Sequence, residues 1–193
     1  MESTVDIELR EGRRKGAKPM MWIAMVSMTM MFAGLTSAYV ISSNREDWVS
    51  FDLPVAFQIS TLFIILSSIT YFLAKKMIQR GNRNATTILL LLTLVLALGF
   101  VFEQYQGFLS LQSMGLYFTG PKSAVSSSML LVIVFAHVLH VVAGLISLLV
   151  VFYNNLKGKY STEDTLGLEV GEIFWHFLDL LWIGLFCFFY FNT

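Results

Sequence analysis

Five long apolar runs constrain this chain more than any other feature of its sequence. They cover approximately residues 19–42, 53–74, 85–106, 127–154 and 170–191. Crossing the hydrocarbon core of a bilayer takes about 20 apolar residues in a helix, and each run has at least that length. Because lipid offers no partner to an unpaired backbone amide or carbonyl, runs of this kind must be helical. The sequence therefore predicts an all-α membrane protein, a bundle of five transmembrane helices.

Composition agrees with this fold class. Hydrophobic residues make up 56% of the 193 residues and charged residues only 13%, whereas a typical soluble domain has about 25% charged residues. The formal net charge is zero, which does not indicate a nucleic-acid partner. The single cysteine, Cys187, can form neither an internal disulfide nor a structural zinc site. We expect residues 1–18 to be an N-terminal tail and residues 19–193 a single transmembrane domain, with Pro19 opening the first helix.

The basic residues predict the orientation in the membrane. Only Arg45 and Lys122 fall in the connections on one side. The remaining Lys and Arg residues precede the first run or lie in the second-to-third and fourth-to-fifth connections: Arg10, Arg13, Arg14, Lys15, Lys18, Lys75, Lys76, Arg80, Arg83, Lys157 and Lys159. Since basic residues concentrate on the cytoplasmic side, the N-terminus should be cytoplasmic and the C-terminus external.

A small set of ionisable residues lies inside the runs or at the start of the fifth. Such groups are costly in a bilayer unless they are paired, and they are candidates for function. Spacing places the two histidines on one face of the fourth helix and Glu172, His176 and Asp179 on one face of the fifth. These two polar faces lie on consecutive antiparallel helices and could meet inside the bundle. The full set is Glu103, His137, His140, Glu169, Glu172, His176 and Asp179.

Three interpretations of this set remain open. An iron site could use His137 or His140 with His176 and Asp179, but the sequence has no His-x-x-x-His pattern and no cysteine pair. We therefore expect no metal or haem site in this chain. A proton relay through the same groups is the second interpretation. The third, which we favour, is a hydrogen-bonded network that fixes helix packing or holds lipid headgroups, with Glu103 able to reach the external interface. No basic residue is expected at the depth of Asp179.

Small residues predict where helices approach closely. Ala33 with Ser37, and Gly34 with Ala38, form two overlapping small-xxx-small pairs in the first run. Gly144 should play the same part in the fourth helix.

Four segments, in order along the chain, resemble subunit III of haem-copper respiratory oxidases. The sequence EVGEIFWHFLDLLWIGLF at 169–186 is similar to the closing signature of that family. FAHVLHVVAG at 135–144, FEQY at 102–105 and FAGLTSAY at 32–39 resemble its earlier motifs. Met28 stands where many members carry a buried glutamate, so no role of that carboxylate is expected here.

The resemblance implies the short five-helix form of this subunit, in a bacterial cytoplasmic membrane. It implies a non-catalytic chain without a cofactor of its own, the haem and copper belonging to subunits I and II. In the family this subunit stabilises subunit I, holds phospholipid and supports proton uptake during aerobic electron transport. The implied partners are oxidase subunits I and II and membrane phospholipids, with membership of a larger respiratory supercomplex left open.

Other functions remain as alternatives at this stage. The complex could be a quinol oxidase, or the chain could be the related subunit associated with nitric oxide reductase. A small proton-coupled transporter would explain buried Glu, His and Asp residues, but such proteins usually show repeats or broken helices, and none is visible in the sequence. A membrane oxidoreductase in its own right would need cofactor ligands that the sequence does not supply.

Overall fold

The computed structural model describes residues 4–117, 124–162 and 165–192. Its helices are α1 (Thr4–Ser42), α2 (Val55–Gln79), α3 (Arg83–Ser113), α4 (Val125–Leu156) and α5 (Leu166–Asn192). Each contains a stretch long and apolar enough to cross a membrane, which in α1 is Lys15–Ser42. The predicted fold class is confirmed: this part of the chain has five candidate membrane-spanning helices and no β-strand.

The first helix begins earlier than the sequence predicts. It starts at Thr4, and Pro19 lies inside it instead of opening it. Proline inside a helix removes one hydrogen bond and typically costs about 3 kcal/mol, which is why a start at Pro19 was expected. That expectation was wrong, because the apolar run marks where the helix enters hydrocarbon and not where it begins. Residues 4–18, expected as a tail, are part of α1.

Tight turns end the next helices and fix their antiparallel order. After α2, the Asn82 amide donates to the Met77 carbonyl at 3.0 Å, and Gly81 has a φ of 77°. This left-handed conformation favours glycine and closes the last helical turn. Gly115 after α3 and Gly158 after α4 have φ values of 83° and 74° and the same type of closing bond. The short turn after α2 makes α2 and α3 an antiparallel hairpin.

Helices α4 and α5 each contact three other helices of the bundle. Helix α5 contacts α1, α2 and α4, and α4 contacts α1, α3 and α5, while α3 contacts α2 and α4. Helix α1 packs on α4 and α5, and within the described residues it touches neither α2 nor α3. The α2–α3 hairpin and α1 therefore lie against different sides of the α4–α5 pair.

Apolar side chains occupy both the interior and the outer surface. Tyr39, Phe100 and Trp182 belong to one buried cluster, and Tyr71, Leu90 and Trp175 belong to another. On the outside, large apolar side chains are strongly exposed, with Ile23 at 71% and Phe191 at 80%. Lipid tails are as apolar as these side chains, so burial alone does not hold such helices together. Close packing and polar contacts between the helices must contribute.

Candidate polar network between α2 and α5

The strongest polar contact between helices joins Lys75 of α2 to Glu172 of α5. The ammonium nitrogen lies 2.6 Å from Glu172 Oε2, with side-chain exposures of 27% for Lys75 and 4% for Glu172. The other carboxylate oxygen lies 3.7 Å from His176 Nε2. Lys75 reaches this site because α2 continues past it to Gln79. Sequence reasoning placed Lys75 in a connection and missed this partner of Glu172.

His176 extends the network one turn further along α5. Its Nδ1 lies 2.5 Å from Ser68 Oγ of α2. The next polar residue, Asp179, is only 3% exposed, and neither carboxyl oxygen has a hydrogen-bond partner among the described residues. Ser68, whose hydroxyl contacts His176, is also a polar neighbour of Asp179.

Two tryptophans and one glutamine add neutral hydrogen bonds along α2. Trp175 Nε1 donates to Ser67 Oγ at 3.1 Å, and Trp182 Nε1 donates to Thr61 Oγ1 at 3.0 Å. From α3, Gln104 Nε2 donates to Ser60 Oγ at 2.9 Å. Sequence reasoning missed these hydroxyls because it considered only ionisable groups. The sequence did contain a pattern that predicts them. Hydroxyl residues at positions 60, 61, 67 and 68 and the lysine at position 75 recur every seven or eight residues, which places them on one face of α2.

The histidines of α4 are separate from this network. His137 is fully buried, with its ring centroid 5.2 Å from that of Trp182 and 6.3 Å from that of Phe100. Neither ring nitrogen of His137 has a hydrogen-bond partner in the described residues. His140 is partly exposed, and its Nδ1 lies 2.7 Å from the Ala136 carbonyl of its own helix. Among the described residues, no hydrogen bond or ion pair joins either histidine to Glu172, His176 or Asp179, although the His137 ring packs on Trp182 of α5.

The remaining carboxylates lie at other places. Glu169 forms an ion pair with Lys18 of α1 at 2.6 Å and accepts a hydrogen bond from Thr165 at 2.8 Å. Glu103 of α3 is partly exposed and has no hydrogen bond or ion pair with any residue that the structure describes. It is not brought to the α2–α5 network.

The predicted packing residues divide into two groups. Gly144 lies against α5, because a Cβ atom added there would be 2.7 Å from Leu178 Cδ1 and 3.3 Å from the Trp175 ring. In α1 the small residues face outwards: nothing lies within 4 Å of the corresponding position at Gly34. Ala33 and Ser37 are exposed and Ala38 is half-buried. Close packing on this α1 face therefore stays a prediction that needs a partner from outside the chain.

Chemically, this arrangement holds helices together. The Glu172 carboxylate, the His176 imidazole and both indole groups of α5 each bind a side chain of α2. Among the described residues, no group of three or more His, Cys, Asp or Glu side chains is arranged to hold a metal ion.

The comparisons with known proteins agree on one family. The family model described as cytochrome c oxidase subunit III matches residues 1–193. Cytochrome bo(3) ubiquinol oxidase subunit 3 of Buchnera aphidicola subsp. Schizaphis graminum is 30% identical over 89% of this chain and 92% of its own length. Cytochrome c oxidase subunit 3 of Corynebacterium diphtheriae is 29% identical, covering 84% of this chain and 81% of that protein. The corresponding subunit of Thermostichus vulcanus is 27% identical, with coverages of 89% and 85%.

These matches do not favour a transporter or an independent membrane enzyme. The chain belongs to the cytochrome c oxidase subunit III family and is the subunit III of a terminal oxidase.

Proposed function

We propose that this chain is a non-catalytic, cofactor-free subunit that stabilises subunit I of a cytochrome c oxidase. Family membership makes it part of an oxidoreductase complex with other oxidase subunits. The observation that carries the non-catalytic role is the α2–α5 network, in which Glu172, His176 and both tryptophans bind structural partners on α2. The haem and copper belong to subunits I and II, and a larger respiratory supercomplex is a further candidate partner.

Co-purification tests this proposal. In mild detergent the chain should be recovered with a large haem-bearing subunit and a subunit II that carries a copper-binding domain. The isolated chain should show no haem absorbance and no stoichiometric copper or iron by elemental analysis. A Soret band of the isolated chain that disappears in His137→Ala or His176→Ala would overturn the assignment.

We also propose that the chain lies in the inner membrane of a bacterial cell with its N-terminus in the cytoplasm. The distribution of basic residues supports this orientation. Lys18 and Lys75, which bind the first turns of α5, belong to the same predicted cytoplasmic end. A phosphatase reporter fused after residue 193 should be active, because that enzyme works only outside the cytoplasm. An inactive phosphatase fusion together with an active cytoplasmic reporter at the same position would contradict the orientation.

Phospholipid is the ligand that we propose for the groove between α1 and α5. This groove has a volume of about 400 Å³ and is lined mainly by apolar side chains, among them Trp22, Val26 and Leu180. His176 lies at its edge, and the Lys18–Glu169 ion pair joins the same two helices one to two turns away. An apolar groove with polar groups towards one end suits an acyl chain with its headgroup at the membrane interface.

We propose that this chain supports proton uptake by stabilising the complex. No obligatory proton path then runs through Asp179. Asp179→Asn keeps the shape of the side chain but cannot titrate. Because neither carboxyl oxygen is hydrogen-bonded in the described residues, we expect assembly, oxygen consumption and proton uptake at wild-type levels. The measurement compares complexes of matched subunit content, with Asp52→Asn in the exposed α1–α2 loop as the control. Slow turnover with intact assembly and lipid in Asp179→Asn alone would establish a relay instead.

A further inference from the structure

Glu103 lies well inside the membrane-spanning part of the bundle. Its neighbour Gln104 binds Ser60 of α2, and the next α2 residue, Thr61, binds Trp182 of α5. Ser60 is five residues into α2, which places this level about 8 Å from the first residue of that helix at 1.5 Å per residue. The carboxyl group therefore lies at the level of the Ser60 and Thr61 contacts, below the external end of α2.

The surroundings of Glu103 form a small polar face on an otherwise apolar surface. Gly99 lies one turn earlier on α3, where an added Cβ atom would sit 3.5 Å from the Phe63 ring of α2. Gln106 lies one turn later, is partly exposed, and its side chain makes no hydrogen bond with the residues that the structure describes. The neighbouring Phe102 is 58% exposed. We call Gly99, Glu103 and Gln106 the α3 polar face.

Glu103 differs from the other carboxylic acids of the membrane-spanning helices. Glu169 and Glu172 have lysine partners, and Asp179 is enclosed by the bundle. Within the described residues, Glu103 alone among these groups is both partly exposed and unpaired. An ionisable group facing hydrocarbon without a partner is strongly unfavourable, so such groups face a bundle interior, a water-filled space or another protein. None of the described residues pairs with Glu103, so its partner must come from outside the described part of the chain.

We propose that the α3 polar face is an interface for a transmembrane helix of a partner oxidase subunit, which donates a hydrogen bond to the Glu103 carboxyl group. This inference rests on the proposed role as an assembled subunit. A helix with Ser, Thr, Asn, Gln, His or Arg at this level supplies the donor, and the partly exposed amide of Gln106 offers a second polar contact. A lipid tail supplies no donor, and lipid headgroups lie further out along the membrane normal.

Site-specific photo-cross-linking in the assembled complex tests the location of the interface. A photoreactive residue at Gln106 should cross-link to another subunit, whose contacting segment is identified by mass spectrometry. The same residue at Tyr105, which is 61% exposed and lies on another side of α3 from Glu103, is the matched control. Cross-links from Gln106 to lipid only, or equal subunit cross-linking from both positions, would overturn the proposal.

Substitution tests the hydrogen bond itself. Glu103→Leu should lower recovery of the partner subunit by roughly threefold to thirtyfold, which corresponds to one interhelical hydrogen bond in a membrane. Glu103→Gln retains an acceptor oxygen and should keep most of that recovery, which also shows that the chain still folds. Tyr105→Leu, on another side of α3, should have no effect. Undiminished recovery in Glu103→Leu, or equal losses in the Gln and Leu variants, would refute this interface, while co-purification of the wild-type chain would still uphold its role as a subunit.

Discussion

Replacing Lys75 with Ala should lower the free energy of unfolding of this chain by roughly 3 kcal/mol. Removing one partner of a buried ion pair typically costs about 3–5 kcal/mol, because it leaves the other charge buried and uncompensated. Here the uncompensated group is Glu172, which is 4% exposed, while Lys75 itself is 27% exposed. Solvent around Lys75 weakens the pair, so the lower end of that range applies. Unfolding of the purified chain in mild detergent measures the change.

A neighbouring lysine and a double substitution serve as controls for this prediction. Lys76 is exposed and lies over the Phe72 ring, with its ammonium nitrogen 4.5 Å from the ring centroid. Lys76→Ala removes the same charge from the adjacent position and should change stability by well under about 1 kcal/mol. Combining Lys75→Leu with Glu172→Leu removes both charges and should restore most of the loss, since apolar replacement of a buried pair is often nearly neutral. A double variant as unstable as the single one would contradict an electrostatic origin.

Gly144→Leu should also destabilise the bundle, by about 1–3 kcal/mol, through overpacking. The first atom of a new side chain would already lie 2.7 Å from Leu178 Cδ1 and 3.3 Å from the Trp175 ring. Because Trp175 is held by its hydrogen bond to Ser67, it cannot easily turn away. The same unfolding measurement in detergent reports this effect. Wild-type stability of Gly144→Leu would mean that α4 and α5 can separate without cost.

Gly34→Leu is the matched control for Gly144→Leu, because nothing lies within 4 Å of a Cβ atom added at Gly34. It should leave the unfolding of the isolated chain within about 0.5 kcal/mol of the wild type. In the assembled oxidase it should nevertheless reduce recovery with subunit I, if the exposed small residues of α1 contact that partner. Unchanged recovery would remove this face from the interface and leave its small residues without a packing role.

The sequence was sufficient for the five membrane-spanning segments because hydrocarbon imposes a strict length and leaves the backbone no alternative to a helix. It was not sufficient for the start of α1, since helical structure continues through Pro19 into the region expected as a tail. The length of an apolar run indicates which residues cross the membrane, whereas the ends of a helix depend on local backbone hydrogen bonds. The Schellman-type turn at Gly81 is an end of that kind.

The candidate site was predicted in part. Helical spacing correctly grouped Glu172, His176 and Asp179 on one face of α5, but it did not indicate which neighbouring helix that face would contact. The face meets α2, through Lys75 and Ser68, and not the histidines of α4. Periodicity within one helix defines directions about its own axis, whereas the partner depends on how all five helices rotate and pack together. A lysine near a helix end is also easily assigned to the interface, although its long side chain can reach inwards.

The central position of α5 has a consequence for the order in which the bundle forms during synthesis. Lys18 and Lys75 lie on helices that leave the ribosome early, yet both of their carboxylate partners, Glu169 and Glu172, belong to the last of the five helices. Until that helix enters the bilayer, both ammonium groups lack these carboxylate partners. The first four helices can insert one by one, but the arrangement that holds α1 and α2 to a common element is completed only by the final insertion. Release of the chain from the insertion machinery before this step would expose polar groups that any neighbouring membrane protein could bind.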